Sequence, residues 1–379
     1  MKRRLHDAWR RLVSRPPRSF ADRVCLGVLS AVSAIYGAGV AARNAAYDWG
    51  WAKTVRLSRP VISIGNLSVG GTGKTACTEY VAQKLLGQGR RVAILSRGYG
   101  SRIGSAPYVL CVQEGRLLVN GQAASTNANH LPDEPQLLAW HLPGVPVVVG
   151  LRRDVAGALA IEGWQADVLV MDDGLQHRRL ARSLEIVLIA ATMPLSGWPL
   201  LPRGPMREGL ASLRRADVII ITKADQAWAG VAALQEHLSA LNPAAVVATA
   251  AHDVAALQDA EGGVVPLERL GGLSVALLSG VGDPEGFEQT VRRVGASVAS
   301  HAAYPDHHRY ALRDWQAAAQ AAQAAHAAAL ITTEKDWMRL RPLLGQAVSP
   351  IPVWVLPVRF RLLSGEEHFN ARLAAVFAR

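Results

Sequence analysis

One segment constrains this 379-residue chain more than any other: Gly65-Asn66-Leu67-Ser68-Val69-Gly70-Gly71-Thr72-Gly73-Lys74-Thr75. It follows the apolar run Val61-Ile62-Ser63-Ile64 and precedes a stretch that predicts a helix from about Lys74 to Gln88. A glycine-rich turn between a buried strand and a helix lets consecutive backbone N–H groups turn inward around phosphate oxygens at the helix N-terminus. The residue types fit a Walker A loop. Ser68, Val69, Gly70, Gly71, Thr72 and Gly73 form the cradle, Lys74 reaches the terminal phosphates, and the Thr75 hydroxyl ligates Mg²⁺. Where the usual G-x4-G-K-T pattern begins with glycine this chain has Ser68; the glycines at 70, 71 and 73 displace that flexibility by two positions. The loop implies a nucleoside triphosphate ligand.

From Trp51 onward, short apolar runs alternate with amphipathic stretches, the signature of an α/β protein. Arg91–Leu95, Val145–Val149, Val168–Met171, Leu184–Ile189 and Val218–Ile221 read as strands apolar on every residue. Such strands are covered on both faces, hence a mostly parallel sheet flanked by helices, as in P-loop NTPases. After about Gln226 the chain turns Ala-rich and helical. A second set of strands follows at Val275–Leu278, Leu330–Thr332 and Val353–Leu356, with a helix near Arg313–Ala328. The expected divisions are 1–50, a basic segment and membrane-associated helix; 51–227, the P-loop core; and 228–379, a smaller α/β domain whose C-terminal segment is a candidate to return to the core. Three scattered cysteines, Cys25, Cys77 and Cys111, form neither a disulfide framework nor a zinc site and suit a reducing cytoplasm.

The formal charge of +11 is unevenly spread. Residues 1–23 hold eight basic and two acidic side chains, so more than half of the surplus sits in this collar. Val24–Ala42 then runs nineteen residues without a charge. As a helix it would span roughly 28 Å, about one hydrocarbon core, though Gly27, Ser30, Ser33, Gly37 and Gly39 dilute it. The pattern suits a basic collar on the cytoplasmic face of an anionic membrane and an apolar helix that crosses the bilayer or lies in its surface. A buried helix of a soluble domain passes the same test. A cleaved signal peptide fits less well, because both regions are too long. A nucleic-acid arm also fits less well, since an apolar run suits lipid better than a phosphate track.

A second phosphate-site element is Asp167-Val168-Leu169-Val170-Met171-Asp172-Asp173-Gly174, an apolar strand ending in acids. This is the Walker B arrangement, with Asp172 or Asp173 on Mg²⁺ directly or through water. The same stretch continues as Asp172-Asp173-Gly174-Leu175-Gln176-His177-Arg178-Arg179, which resembles the DDGLQHR block of the tetraacyldisaccharide 4′-kinase family. Further blocks resemble that family in order: Gly65–Thr75, Ser96–Gly100, Asp133-Glu134-Pro135, Leu201–Glu208, Pro305–Tyr310 and Thr332–Asp336.

The resemblance implies transfer of the γ-phosphoryl group of ATP, with Mg²⁺, to the 4′-hydroxyl of an acylated glucosamine disaccharide 1-phosphate, forming lipid IVA in lipid A biosynthesis. It implies the inner face of the bacterial inner membrane as the place, and no obligate protein partner. It also implies that Asp133 accepts the proton of the attacking hydroxyl, paired with a histidine, here His307, with His308 adjacent as the competitor. Glu134 would be a second acid near the metal or nucleotide. From the residues alone, flanking prolines stiffen Pro132-Asp133-Glu134-Pro135, and a helix N-cap is the plain alternative for Asp133. Arg97, Tyr99, Arg152 and Arg153 follow strands at the sheet edge where phosphates bind, and guanidinium forks suit phosphate. With Arg207, Gln176 and His177 they complete the expected substrate contacts. One departure is Ala190-Ala191, where the family commonly carries an acid.

Two other classes compete. Thr222-Lys223-Ala224-Asp225 resembles the N-K-x-D base-reading motif of GTPases, with Thr for Asn, which would make the chain a membrane regulator. A partitioning-type ATPase carries a second Lys early in its loop, where this chain has Ser68.

Overall fold

The computed structural model describes residues 19–98, 106–124, 131–192, 199–254, 256–306, 308–344 and 349–378. Tyr99, His307 and most of the basic collar lie outside the described residues.

In chain order the elements are α1 (Phe20–Asp48), β1 (Val61–Asn66), α2 (Lys74–Gly87), β2 (Val92–Ser96), β3 (Tyr108–Gln113), β4 (Arg116–Val119), β5 (Gln122–Ala123), α3 (Asp133–His141), β6 (Val147–Val149), α4 (Arg153–Trp164), β7 (Val168–Asp172), β8 (Leu184–Ala190) and β9 (Val218–Thr222). They continue with α5 (Trp228–Leu241), β10 (Val246–Asp253), β11 (Leu257–Asp259), β12 (Val264–Val265), β13 (Ser274–Ser279), α6 (Pro284–Arg293), β14 (Ser297–Ala303), α7 (Leu312–Ala324), β15 (Leu330–Thr333), α8 (Glu334–Leu344), β16 (Val353–Leu356), β17 (Arg359–Ser364) and α9 (Glu366–Ala375).

The chain forms two compact units, both discontinuous. The first takes Met1–Lys74, Val170–Ala251 and Leu362–Arg379; the second takes Thr75–Leu169 and His252–Arg361. The 227/228 division expected from composition falls inside the first unit, between β9 and α5.

In the first unit β1, β8, β9 and β10 run parallel side by side, with Ile64 opposite Ile186, Val187 opposite Ile219 and Ala248 opposite Ile220. Every residue of β1, β8 and β9 is buried, which is why these segments are apolar without alternation. Leu362–Arg379 belongs to this unit, and the Thr249 and Ser364 hydroxyls meet at 2.7 Å. Two glycines set the approach of β1 to the acidic turn after β7. A Cβ on Gly65 would stand 2.5 Å from Leu175 Cβ, and one on Gly174 would stand 2.3 Å from Ser63 Oγ. Helix α1 opens on a capping box in which Ser19 Oγ accepts from the Asp22 N–H and Asp22 Oδ2 from the Ser19 N–H, both 3.0 Å.

In the second unit β2 and β6 are parallel, β3 adds antiparallel to β6, and β4 and β5 continue the meander, each antiparallel to the strand before it. This meander was not expected. Its turns hold Glu114-Gly115 at φ 48° and 69°, then Asn120-Gly121 at 49° and 80°. Two successive positive φ values are the two-residue hairpin geometry, and Asn-Gly is its strongest sequence signal. A separate six-stranded sheet runs β12-β11-β16-β15-β13-β14, parallel from β16 to β14. Helix α3 packs against α8, and this contact sets the polar cluster described below.

Candidate active site

In the first unit the phosphate loop is braced on three sides. Gly70 and Gly73 sit at φ +116° and +85°, conformations that side chains rarely adopt. Asn66 Nδ2 donates to Thr72 Oγ1 at 2.7 Å, and Thr222 Oγ1 donates to the Thr72 carbonyl at 3.0 Å. The Val69 N–H donates to the Pro205 carbonyl and the Arg207 N–H to the Leu67 carbonyl, at 2.8 and 2.6 Å. Ser68 is buried beside Met206, whereas Val69, Gly70 and Gly71 are exposed. Thr75 follows Lys74 in the first turn of α2.

Lys74, Asp173, Arg207 and Gln176 come together around this loop. Lys74 Nζ lies 3.6 Å from Asp173 Oδ1, and Arg207 Nη1 donates to both Asp173 oxygens at 2.9 Å. Asp173 has φ +52°, a left-handed backbone that Asp tolerates better than most residues, and it turns the chain out of β7. Asp172 is the last residue of that strand and is buried. Gln176 Nε2 donates to the Asn66 carbonyl at 2.9 Å, and its Oε1 accepts from Arg207 at 3.5 Å. The His177 carbonyl accepts from Arg182 Nη2 at 2.7 Å. In the Thr222-Lys223 segment, the Thr222 hydroxyl is committed to the phosphate loop and Lys223 is buried at φ +56°.

The second unit builds a different constellation. Pro132 takes the N-cap position, so Asp133 and Glu134 are the first helical residues of α3. Asp133 accepts a close contact from Arg339 Nη2 and lies 3.8 Å from Lys335 Nζ. The same ammonium reaches Glu134 at 3.1 Å and Asp306 at 3.3 Å. Burial works against the Lys335 charge, but Glu134 and Asp306 outweigh it and raise the pKa above the usual lysine value. Burial lowers Arg339 to about 10, still protonated at neutral pH. Arg339 is held from behind by the Gly280 carbonyl at 3.3 Å and Asp336 Oδ1 at 3.2 Å. Arg97 is exposed just past β2; Arg152 is exposed and forks onto Asp154 at 3.0 and 2.7 Å; Arg153 is buried at the start of α4. His308 Nε2 pairs with Asp314 at 2.9 Å, and its ring stacks on Tyr304.

Behind this cluster lies a buried charge chain. His141 Nδ1 meets Glu79 Oε2 at 2.7 Å and its Nε2 meets Glu334 Oε1 at 3.0 Å. Burial disfavours the imidazolium, yet hydrogen bonds to Glu334 and Glu79 outweigh it and raise its pKa to about 9. Arg359 closes the chain onto Glu334 at 3.0 Å. Glu334 therefore stays ionised, its carboxyl held below the usual range against the cost of burial.

A model of the family described as tetraacyldisaccharide-1-P 4′-kinase matches residues 26–378. The chain belongs to that family. A tetraacyldisaccharide 4′-kinase of Anaeromyxobacter dehalogenans strain 2CP-1 is 42% identical over 352 residues, covering 90% of this chain and 88% of the relative. Its counterpart in Geobacter sulfurreducens is 37% identical over 351 residues, covering 93% and 94%. Among solved structures, LpxK from Aquifex aeolicus, crystallised with ATP, superposes with a TM-score of 0.71 at 28% identity, covering 93% of this chain and 99% of that one. Within the family fold, the charged groups around Asp133 that sequence reading did not single out are Lys335, Arg339 and Asp306. A signal was present for Lys335: it is one of only six lysines among 41 basic residues, and it stands in the Thr332–Asp336 block.

Proposed function

We infer that this protein transfers the γ-phosphoryl group of ATP to the 4′-hydroxyl of a tetraacyldisaccharide 1-phosphate, the phosphorylation that completes lipid IVA. The observation that carries the reading is the Lys74–Asp173–Arg207 constellation on a glycine loop, in a member of the 4′-kinase family. Left-handed Gly70 and Gly73 free the backbone N–H groups to turn toward phosphate, and Lys74 supplies the positive charge.

The donor set fits Mg²⁺: the Thr75 hydroxyl with Asp172 and Asp173 are hard oxygens. Among the described residues no cluster of three His, Cys, Asp or Glu side chains forms a metal cage by itself, as suits an ion shared with phosphates. When bound, the ion neutralises charge on the transferring group. Thr75, Asp172 and Asp173 would hold the ion, and Lys74 and Arg207 supply positive charge beside them for the phosphates. Asp133 orients the attacking hydroxyl and takes its proton, with Lys335 and Arg339 holding the carboxylate in position. His307 would be the partner of Asp133, and Glu134 would be a second acid near the metal or nucleotide. Arg97, Tyr99, Arg152, Arg153, Gln176 and His177 contact the sugar phosphates.

Helix α1 supports work at a membrane surface. Leu26 and Ser33 are buried along one stripe, and Ser33 Oγ donates to the Leu200 carbonyl at 2.8 Å. Phe20, Val24, Val28, Val32 and Ile35 stay exposed, so an apolar face is left for lipid while the opposite stripe is docked on protein. We read α1 as lying in the cytoplasmic face of the inner membrane, with the basic collar on anionic headgroups.

The test is incubation with γ-labelled ATP and disaccharide 1-phosphate lipid in detergent micelles. Label in the lipid fraction is the expected result. Strict dependence on GTP, or hydrolysis with no lipid label, would overturn the reading in favour of a nucleotide-driven membrane regulator.

A further inference from the structure

Glu208 is fully buried, an expensive place for a carboxylate unless every lone pair is used. Here four donors converge on it from two stretches of chain. Arg43 Nη2 at 2.8 Å and Asn44 Nδ2 at 3.1 Å come from α1; Ser212 Oγ at 2.6 Å and Arg215 Nη2 at 2.8 Å come from the segment after the phosphate-loop brace. Arg215 and the Ser212 hydroxyl outweigh the burial cost and hold the carboxyl below its usual range.

The neighbouring residue explains what this junction could serve. Arg207 is gripped on both sides of its backbone. Its N–H donates into the phosphate loop at Leu67, and its carbonyl accepts from the Tyr36 hydroxyl of α1 at 3.0 Å. Its guanidinium holds Asp173, which stands 3.6 Å from Lys74. The apolar helix is therefore joined to the nucleotide site by a continuous chain: Arg43 and Asn44 of α1 to Glu208 and Tyr36 of α1 to Arg207, then Arg207 to Asp173. A helix serving only as an anchor needs apolar contacts with the body, not a buried ion-paired junction one residue from a phosphate-site arginine.

We propose that Glu208 is a positioning residue that couples the docking of helix α1 to the placement of Arg207 and Asp173 at the phosphate site. The helix is thus part of the active-site framework as well as a membrane contact. This rests on the kinase reading above, and the experiment separates the two.

Phosphoryl transfer is measured in detergent micelles, where attachment to a bilayer is not needed, for wild type, R43A/N44A, R207A and the combined triple variant. Removing the two helix donors should lower kcat about tenfold with the KM for lipid unchanged, while co-sedimentation with anionic vesicles stays within twofold of wild type. R207A alone should cost more, and the triple variant should be no worse than R207A within about twofold, because both changes act through one side chain. R43K, which keeps the charge and one donor, should recover most of the loss. Multiplicative losses in the triple variant, or a kcat that falls only in step with vesicle binding or with the folded fraction seen in thermal melts, would overturn the coupling. Absence of lipid labelling by wild type would instead sink the kinase reading itself.

Discussion

The two charged constellations differ in how the chain assembles them. Around the phosphate loop, the loop, the acidic turn and Arg207 are each short motifs at the ends of elements, brought together by parallel strands. Around Asp133, the partners Lys335 and Arg339 lie about two hundred residues away in sequence and meet it only because α3 packs on α8. The first site is a matter of local backbone conformation, the second of a helix–helix contact. Mutations should therefore act differently: locally and catalytically at the loop, through packing and charge in the cluster.

The sharpest test of the loop is Lys74→Ala. Losing the ammonium at the terminal phosphates should lower kcat by about a thousandfold or more while the thermal transition stays close to wild type. Substantial residual turnover would mean that Arg207 or another cation carries the charge neutralisation.

Asp133→Asn comes next, at about a hundredfold in kcat, since it removes the proposed proton acceptor but keeps the shape. It also leaves Lys335 and Arg339 without one of their carboxylates. A loss reflecting only that disturbance would be repaired by Lys335→Met in the same chain; a proton-transfer role would not.

The smallest effect concerns the charge chain behind the cluster. The His141 pKa is raised to about 9 in the folded protein, against about 6.5 unfolded. Because the folded value is the higher, this stabilisation is complete below pH 6.5 and is lost as pH rises through 9. Denaturant unfolding should show wild type losing on the order of 3 kcal/mol between pH 6.5 and 9.5 through this group, and His141→Gln losing much less. Parallel pH dependences would remove His141 from the account.

Much of the fold is legible along the chain because a strand buried on both faces must be apolar at every position, as Val61–Asn66, Leu184–Ala190 and Val218–Thr222 are. The phosphate loop is legible for a similar reason: backbone N–H groups can converge only where glycines permit it, so the ligand chemistry is written in residue type. The β3-β4-β5 meander is not legible although Asn120-Gly121 marks its turn, since β4 and β5, four and two residues long, are too short to carry a pattern. Arg207 was expected on substrate, and in the structure it is bound to Asp173, a contact 34 residues away that spacing cannot show. Asp133 stands at the head of its helix, yet nothing in Pro132-Asp133-Glu134-Pro135 indicates that two distant cations close on it.

The sequence by itself determined the kind of ligand, the strands that frame it and the uneven placement of the +11 charge, because glycine freedom, burial on two faces and charge runs are local properties. Tertiary structure decided the rest. A buried carboxylate such as Glu208 or Glu334 is tolerable only where several donors converge, and those donors come from segments far apart in the chain. Only the folded chain could show that the apolar helix, which composition marks simply as lipid-seeking, ends in hydrogen bonds one residue from an arginine of the phosphate site.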